Sequence, residues 1–86
     1  MDFEYDERKS QSNFKKHGID FEAGKELWAD LRGIVIDARV QDEVRYALIG
    51  KIESKVWTGV YTIRNKKIRI ISIRRSRKRE VELYES

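Results

Sequence analysis

Basic side chains dominate the residues of this chain that could do chemistry. Ten Lys and Arg residues lie between Glu53 and Glu80 with no acid among them, although the 86-residue chain has a formal net charge of only +4. The remaining sequence holds nine basic and fifteen acidic residues, so positive charge is concentrated in the C-terminal third. Such a segment attracts polyanions such as RNA, because each phosphate that Lys or Arg neutralises releases condensed counterions. A basic face that serves only solubility is the alternative interpretation.

Other kinds of catalytic chemistry have few candidates in the sequence. The chain contains no Cys and one His, His17, so neither a clustered metal site nor a Ser-His-Asp or Cys-His arrangement stands out. The sequence also lacks a Gly-rich phosphate loop. We therefore expect no metal and no cofactor, and the chemistry that remains is phosphate chemistry performed by guanidinium groups.

RNA carries its own nucleophile, the 2′-hydroxyl group, which simplifies what a protein must supply to cleave it. The protein has to align the phosphodiester, stabilise its extra negative charge and manage two protons. Arginine suits the first two tasks, but it stays protonated and cannot act as the base. The candidates for proton transfer are His17, Glu43, Glu80 and Tyr84. For His17, a capping or surface role is the alternative.

Two N-terminal helices are predicted from local signals. Asp6 can cap a helix over Glu7–Lys16, with Phe14 as its apolar anchor, and Gly18 is placed to end it in the left-handed conformation. A second helix starts at Asp20. Its core stripe, at the spacing of one helical face, consists of Phe21, Gly24, Leu27, Trp28 and Leu31.

The rest of the chain reads mainly as strands. The predicted strands are Ile34–Ile36, Arg45–Ile52, Val56–Arg64 and Lys67–Arg75. The last three are joined by connections short enough for hairpins. With a C-terminal helix added, the order α-α-β-β-β-β-α predicts an α+β fold with a four-stranded antiparallel sheet and helices packed on it.

The register of the last hairpin sorts its side chains onto two faces. With a two-residue turn at 65–66, Arg64 faces Lys67 and Val56 faces Arg75. One face then carries Trp57, Tyr61, Ile63, Ile68 and Ile70, which form a floor for the helices. The other face carries Thr62, Arg64, Lys67, Arg69 and Arg75, with Val60, Ile71 and Ile73 between them. Three arginines are therefore predicted to converge on one side of the hairpin, unless this is an ordinary exposed sheet face.

The predicted C-terminal helix begins in a concentration of positive charge. Ser76 can cap a helix that runs to about Tyr84. The basic residues around its start are Arg74, Arg75, Arg77, Lys78 and Arg79. Positive charge at that end opposes the helix dipole, whereas a bound anion would be stabilised by it. This helix start is therefore predicted to form an anion site.

Size and composition predict a single small domain, residues 1–86, located in the cytoplasm. A chain of 86 residues can bury only a thin core. The lack of Cys fits a reducing compartment. The acidic start Met1–Asp6 lacks the basic-then-apolar order of a signal peptide, and no apolar run is long enough to span a bilayer. We therefore expect no contact with a membrane.

Several short motifs, taken together, resemble one family of bacterial toxins. They are Phe3-Glu4-Tyr5-Asp6 with Lys9, then Asn13, Lys16-His17-Gly18 and Asp20-Phe21-Glu22-Ala23, followed by Glu43-Val44-Arg45, Gly50 and Thr62-Ile63-Arg64. The pattern continues with Ile68-Arg69-Ile70-Ile71-Ser72-Ile73-Arg74-Arg75 and closes on Arg79-Glu80 and Tyr84. In this combination the sequence resembles the BrnT toxins, the ribonuclease component of a type II toxin–antitoxin pair.

The resemblance implies a RelE-like fold and RNA cleavage without a metal ion, which would inhibit translation and growth. It also implies neutralisation by a cognate BrnA-like antitoxin, a ribbon-helix-helix protein that binds DNA. We expect toxin and antitoxin to form a heterotetramer with two antitoxins.

This interpretation assigns roles to the charged residues of the C-terminal half and to His17. The predicted catalytic residues are Arg64, Arg74 and Arg75, which hold the scissile phosphate, and the proton-transfer candidates Glu80, His17 and Glu43. The predicted RNA contacts are Arg45, Lys67, Arg69, Arg77, Arg79 and Tyr84. One alternative is a non-catalytic RNA- or DNA-binding module in which Trp57 or Tyr61 stacks on bases. Another is an interaction protein whose basic face docks an acidic partner.

Overall fold

A computed structural model describes residues 2–86 of the chain, so Met1 lies outside the described residues. Within this range the fold is α+β. The helices are α1 (Glu7–His17), α2 (Phe21–Gly24) and α3 (Lys78–Glu85), and a 3₁₀ segment, Lys25–Ala29, follows α2 directly. The strands are β1 (Phe3–Glu4), β2 (Ile34–Asp37), β3 (Tyr46–Ile52), β4 (Lys55–Arg64) and β5 (Lys67–Arg75). No helix in 2–86 has the length and apolar character needed to cross a bilayer.

The predicted ends of α1 and the predicted start of the second helix at Asp20 are confirmed. Asp6 Oδ1 accepts a hydrogen bond from the Arg8 N–H at 2.8 Å, which satisfies a free donor at the start of α1. Gly18 ends α1 with φ +78°, a conformation that costs glycine little. Asp20 Oδ1 caps α2 by accepting the Ala23 N–H at 2.8 Å. Each of these contacts lies within three residues of its cap, so the sequence alone could predict it.

The second helix is shorter than its apolar stripe predicted. α2 has four residues, and the chain then tightens into the 3₁₀ segment, which has about three residues per turn in place of 3.6. Phe21 and Leu27 are completely buried, as expected for the stripe. Leu31 is fully exposed because the chain leaves the helical path at Asp30, so its predicted place in the core is wrong.

The sheet has five strands in residues 2–86, in the order β1-β5-β4-β3-β2. The four predicted strands are present and pair antiparallel, but β1 adds a parallel partner to β5, with Phe3 opposite Ile68 and Glu4 opposite Arg69. The predicted four-stranded antiparallel sheet of a RelE-like layout is therefore corrected to a mixed sheet. A strand of two residues is too short to show the alternation by which strands are predicted.

The last hairpin confirms its predicted turn but shifts register halfway along. Asn65 and Lys66 adopt φ values of 53° and 63°, as a type I′ turn requires. The register follows the prediction from Arg64 as far as the pair of Tyr61 with Ile70, after which Val60 pairs with Ser72. Ile71 is thus an extra residue in β5, a β-bulge.

The bulge reverses the faces of the residues that follow it in β5. Ile73, predicted on the open face, is completely buried in the core. Arg75 pairs with Trp57 and not with Val56, so it lies on the face that the N-terminal helices cover. The predicted convergence of Arg75 with the other hairpin arginines on one face is therefore wrong.

The buried face of α1 is polar. Phe14, the expected anchor, is 57% exposed, whereas Ser10 and Asn13 are buried. The Asn13 side-chain amide donates to the carbonyl oxygens of Ile19 and Ile73, both at 2.8 Å, and accepts the Ile73 N–H at 3.1 Å. α1 is therefore attached to β5 mainly through backbone groups next to the bulge.

The core lies between the sheet and the N-terminal helices. Its buried apolar members are Ile19, Phe21, Leu27, Leu48, Tyr61, Ile68, Ile70 and Ile73. Leu27 approaches the sheet closely at Gly50 and Gly59, where an added Cβ would lie 3.2 and 3.0 Å from its methyl groups. Trp28 packs edge-on against Tyr61 at a centroid distance of 5.3 Å.

α3 lies on the opposite face of the sheet, where it contacts β3 and where its Glu80 accepts hydrogen bonds from Thr58 of β4 and Arg74 of β5. This helix begins at Lys78 with Arg77 as its cap residue, so the predicted Ser76 cap is wrong. Ser76 Oγ is instead hydrogen-bonded to Thr58 Oγ1 at 2.8 Å. None of the described side chains of α3 is fully buried. The part of this face nearest the β4–β5 turn carries a cleft.

Candidate active site

A cleft of about 390 Å³ lies at the turn end of the β4–β5 hairpin. Its lining side chains are Lys9, Glu43, Arg45, Thr62, Ile63, Arg64, Arg69 and Ile71. α1 supplies the lysine, the segment before β3 supplies Glu43 and Arg45, and the hairpin supplies the rest. Among the residues of 2–86 that line it, four carry positive charge and one carries negative charge, so the cleft is suited to an anionic ligand.

Glu43 and Arg45 line the cleft and contact each other. Arg45 Nη2 donates to Glu43 Oε2 at 3.1 Å, and the Glu43 side chain is 56% exposed, so part of its carboxylate remains open to a ligand. The backbone around them is well fixed. Val40 and Glu43 exchange backbone hydrogen bonds of 3.2 and 3.0 Å, and Thr62 Oγ1 donates to the Val44 carbonyl at 2.9 Å.

Arg64 and Arg69 of the hairpin also line the cleft. Arg64 is exposed at the turn, directly opposite Lys67, and forms no ion pair within residues 2–86. Arg69 Nη1 lies 3.7 Å from Glu4 Oε1. These guanidinium groups retain N–H donors for a phosphate, which arginine can bind through two parallel hydrogen bonds.

The predicted anion site at the start of α3 is occupied by the protein itself. Arg74 donates to Glu80 through two hydrogen bonds of 2.8 and 2.9 Å, and Glu80 also accepts the Arg77 N–H and the Thr58 hydroxyl. The Glu80 side chain is 14% exposed. Hydrogen bonding from Arg74, followed by the bond from Arg77, lowers the pKa of Glu80 to about 2, and the same pair raises the pKa of Arg74.

Arg75 lies at the other end of the hairpin and on the other face. Its guanidinium carbon is 5.5 Å from the centroid of the Trp57 ring, an arrangement suited to a cation–π contact. From Trp57 to Arg64, β4 extends by about 23 Å at roughly 3.3 Å per residue. The structure therefore does not bring Arg64, Arg74 and Arg75 to one phosphate.

The remaining predicted site residues lie outside the cleft. His17 is exposed as the last residue of α1, and Arg77 and Arg79 are exposed at the start of α3. The Tyr84 hydroxyl donates to Asp30 Oδ2 at 2.6 Å, and this hydrogen bond, with burial, raises the pKa of Tyr84. That bond attaches the end of α3 to the segment before β2.

Four residues of the cleft were absent from the predicted site, the polar Lys9 and Thr62 and the apolar Ile63 and Ile71. Lys9 reaches the cleft because α1 packs along β5, a relationship with no local sequence signal. Thr62 could have been found, since it was predicted on the same strand face as Arg64. The described residues contain no group of three His, Cys, Asp or Glu side chains placed to hold a metal ion.

Comparison of the sequence with known proteins identifies a family. Comparison with curated proteins gives no match. The sequence model of one family, described as "Ribonuclease toxin, BrnT, of type II toxin-antitoxin system", matches residues 5–80. That range contains α1, all strands from β2 to β5 and the whole lining of the cleft. The chain thus belongs to the BrnT family of ribonuclease toxins of type II toxin–antitoxin systems.

Proposed function

We propose that this toxin is a metal-independent endoribonuclease whose cleavage site is the cleft at the turn end of the β4–β5 hairpin. The observation that carries the proposal is that one cleft is lined by the cations Lys9, Arg45, Arg64 and Arg69 together with Glu43, whose side chain is 56% exposed. Attack by a 2′-hydroxyl requires cations that hold the phosphate and one accessible base beside it. Family membership supplies the ribonuclease activity and the antitoxin partner.

In the proposed mechanism, Arg64 and Arg69 bind the two non-bridging oxygens of the scissile phosphate. Glu43 removes the proton from the 2′-hydroxyl, whose oxygen then attacks phosphorus. Arg45 holds Glu43 in position through its 3.1 Å hydrogen bond. The bond from phosphorus to the 5′-oxygen breaks, and Lys9 protonates the leaving oxygen. The products are a 2′,3′-cyclic phosphate and a 5′-hydroxyl.

The other predicted site residues receive supporting roles. Lys67, Arg75, Arg77 and Arg79 lie on the exposed surface and would contact RNA phosphates away from the scissile bond. The Arg74–Glu80 pair and the Tyr84–Asp30 bond hold α3 in place. His17 sits in the last turn of α1, where a basic side chain favours the helix dipole.

The mechanism can be tested on the products of cleavage. Purified protein is incubated with a labelled messenger RNA in a bacterial cell-free translation extract, and fragment ends are identified by mass spectrometry. We expect 2′,3′-cyclic or 3′-phosphate ends and 5′-hydroxyl ends, and we expect purified protein to leave RNA intact when the scissile 2′-oxygen is methylated. In the absence of the extract, purified protein should cleave the unmodified RNA at the same rate with and without an added chelator. A 5′-phosphate product, or loss of cleavage on chelation, would contradict the mechanism, and tight RNA binding without any cleavage would indicate a non-catalytic module.

We further propose that the antitoxin covers the cleft. A segment with acidic side chains would neutralise the cations of this site, and binding only to the folded toxin would stabilise it by mass action. We propose a BrnA-like ribbon-helix-helix antitoxin in a complex of two toxins and two antitoxins, in the cytoplasm, with residues 1–86 acting as one domain. Hydrogen exchange of the complex should show protection at Glu43–Arg45 and Thr62–Arg69. Protection restricted to the exposed face of α1 would contradict this arrangement.

A further inference from the structure

Glu4 is an acid that the structure places against a cation of the cleft. It is the second residue of β1 and lies opposite Arg69 in the parallel pairing of β1 with β5. Its Oε1 is 3.7 Å from Arg69 Nη1, which is within ion-pair range but too long for a hydrogen bond. Both side chains are 29% exposed. The pair is therefore close without being joined by a hydrogen bond.

The Glu4 carboxylate is incompletely satisfied. Glu4 Oε1 is enclosed, yet it accepts no hydrogen bond from any group in residues 2–86. A buried acceptor without a donor costs free energy and is rare in folded proteins, which marks Glu4 as a candidate for a role in function. Glu80 shows the contrast, since its carboxylate receives donors from Arg74, Arg77 and Thr58.

The position of β1 gives this acid a direct route to the cleft. Phe3 points into the core, where its ring packs edge-on against Trp28 at 5.3 Å. The next residue, Glu4, points to the other face of the sheet, where Arg69 lines the cleft. β1 therefore provides one core anchor and one acid beside the proposed cleavage site.

We propose that Glu4 is a positioning residue for RNA cleavage, which keeps the Arg69 guanidinium aimed at the scissile phosphate. This inference rests on the proposed ribonuclease function. An ion pair of 3.7 Å restrains the guanidinium while leaving its N–H donors available for phosphate oxygens. The same negative charge repels RNA, so Glu4 weakens binding of the substrate while it improves the orientation of Arg69.

These two effects predict an unusual combination in a Glu4→Gln variant. Removal of the charge should tighten binding of purified protein to an uncleavable 2′-O-methyl RNA, by up to about fivefold. Loss of orientation should slow cleavage of the matching unmodified RNA in a cell-free translation extract by about tenfold or more. Glu4→Asp, which keeps the charge on a shorter side chain, should restore wild-type RNA affinity and part of the cleavage rate.

Glu7→Gln is the matched control, because it removes the same charge from an exposed position at the start of α1, outside the cleft. It should leave cleavage unchanged. If the wild-type protein cleaves RNA and Glu4→Gln cleaves it at the same rate, the proposed role of Glu4 is overturned and the proposed ribonuclease function is not. Weaker RNA binding and a lower melting temperature in Glu4→Gln would also overturn it, in favour of a structural role. Failure of the wild-type protein to cleave RNA would overturn the proposed function and this inference with it.

Discussion

Arg74 and Glu80 face each other across the junction of β5 and α3, joined by two parallel hydrogen bonds of 2.8 and 2.9 Å. Glu80 also accepts the Arg77 N–H at 2.8 Å, so one carboxylate both caps α3 and binds it to the sheet. No described side chain of α3 is fully buried, and the Tyr84–Asp30 bond is the matching attachment near its other end. Polar contacts at both ends therefore fix this helix.

The stability of the protein should depend on the charge of Glu80. Its pKa in the folded protein is about 2, below the ordinary value of 4.5, so its contribution is complete above pH 4.5 and disappears as the pH falls towards 2. Glu80→Gln should lower the free energy of unfolding by about 2 kcal/mol at pH 7. The difference from wild type, measured by urea unfolding, should shrink between pH 4.5 and pH 2.

Glu82→Gln is the control for this experiment, since Glu82 is exposed on the same helix and the structure gives its side chain no ion pair in residues 2–86. It should leave the unfolding free energy within about 0.5 kcal/mol of wild type. A Glu80→Gln deficit that is equally large at pH 2 would show that packing, and not charge, stabilises the junction.

Asn13→Ala should destabilise the fold by about 2–4 kcal/mol, because it leaves the Ile73 N–H and the carbonyls of Ile19 and Ile73 without their buried partner. Urea unfolding measures the cost, and faster hydrogen exchange of the Ile73 amide should accompany it. Ser12→Ala, on the exposed side of the same helix, should be nearly neutral. Equal stability of the two variants would mean that the bulge does not depend on Asn13.

Leu27→Ala and Leu31→Ala should differ sharply, although both leucines belong to the same apolar stripe in the sequence. Leu27 is completely buried, so its truncation should cost about 2–5 kcal/mol. Leu31 is fully exposed and its truncation should change stability by less than about 0.5 kcal/mol. Melting curves of the two variants check this, and similar losses at both positions would contradict the observed end of the helix.

Arg64→Ala and Arg75→Ala should affect different steps of the reaction. Arg64 lines the cleft, so its removal should slow cleavage at saturating RNA by about 10²–10³-fold. Arg75 lies at the far end of the hairpin on the other face, so its removal should weaken RNA binding. The slope of log affinity against log salt concentration should become shallower by about 0.7 for each phosphate contact that is lost. Rates and affinities at several salt concentrations separate the two. An equal loss of turnover in both variants would place Arg75 at the scissile phosphate.

Features that depend on neighbouring residues were predictable from the sequence. The caps at Asp6 and Asp20, the left-handed Gly18 and the turn at Asn65 all follow from side chains within a few positions of the backbone they shape. The α+β class follows from the order of those elements. The basic hairpin was also recognisable, because charge along the sequence needs no tertiary information.

Features that depend on distant contacts were not predictable. The bulge at Ile71 is next to the backbone groups that Asn13 binds, and these lie 60 positions apart in the sequence. The bulge moves every later residue of β5 to the opposite face of the sheet, which is why Arg75 was assigned to the wrong face. Lys9 reaches the cleft, and Glu4 reaches Arg69 beside it, through packing against β5, and neither position carries a periodic signal.

The parallel pairing of β1 with β5 also affects the order in which the protein can fold. Phe3 and Ile68 are partners although 65 positions separate them, so β1 has no strand to join until β5 exists. Contacts at such separation are slow to form, because the intervening chain must first be ordered. A chain that ends before β5 therefore cannot form the contact between Glu4 and Arg69, and it lacks the part of the cleft that β5 supplies.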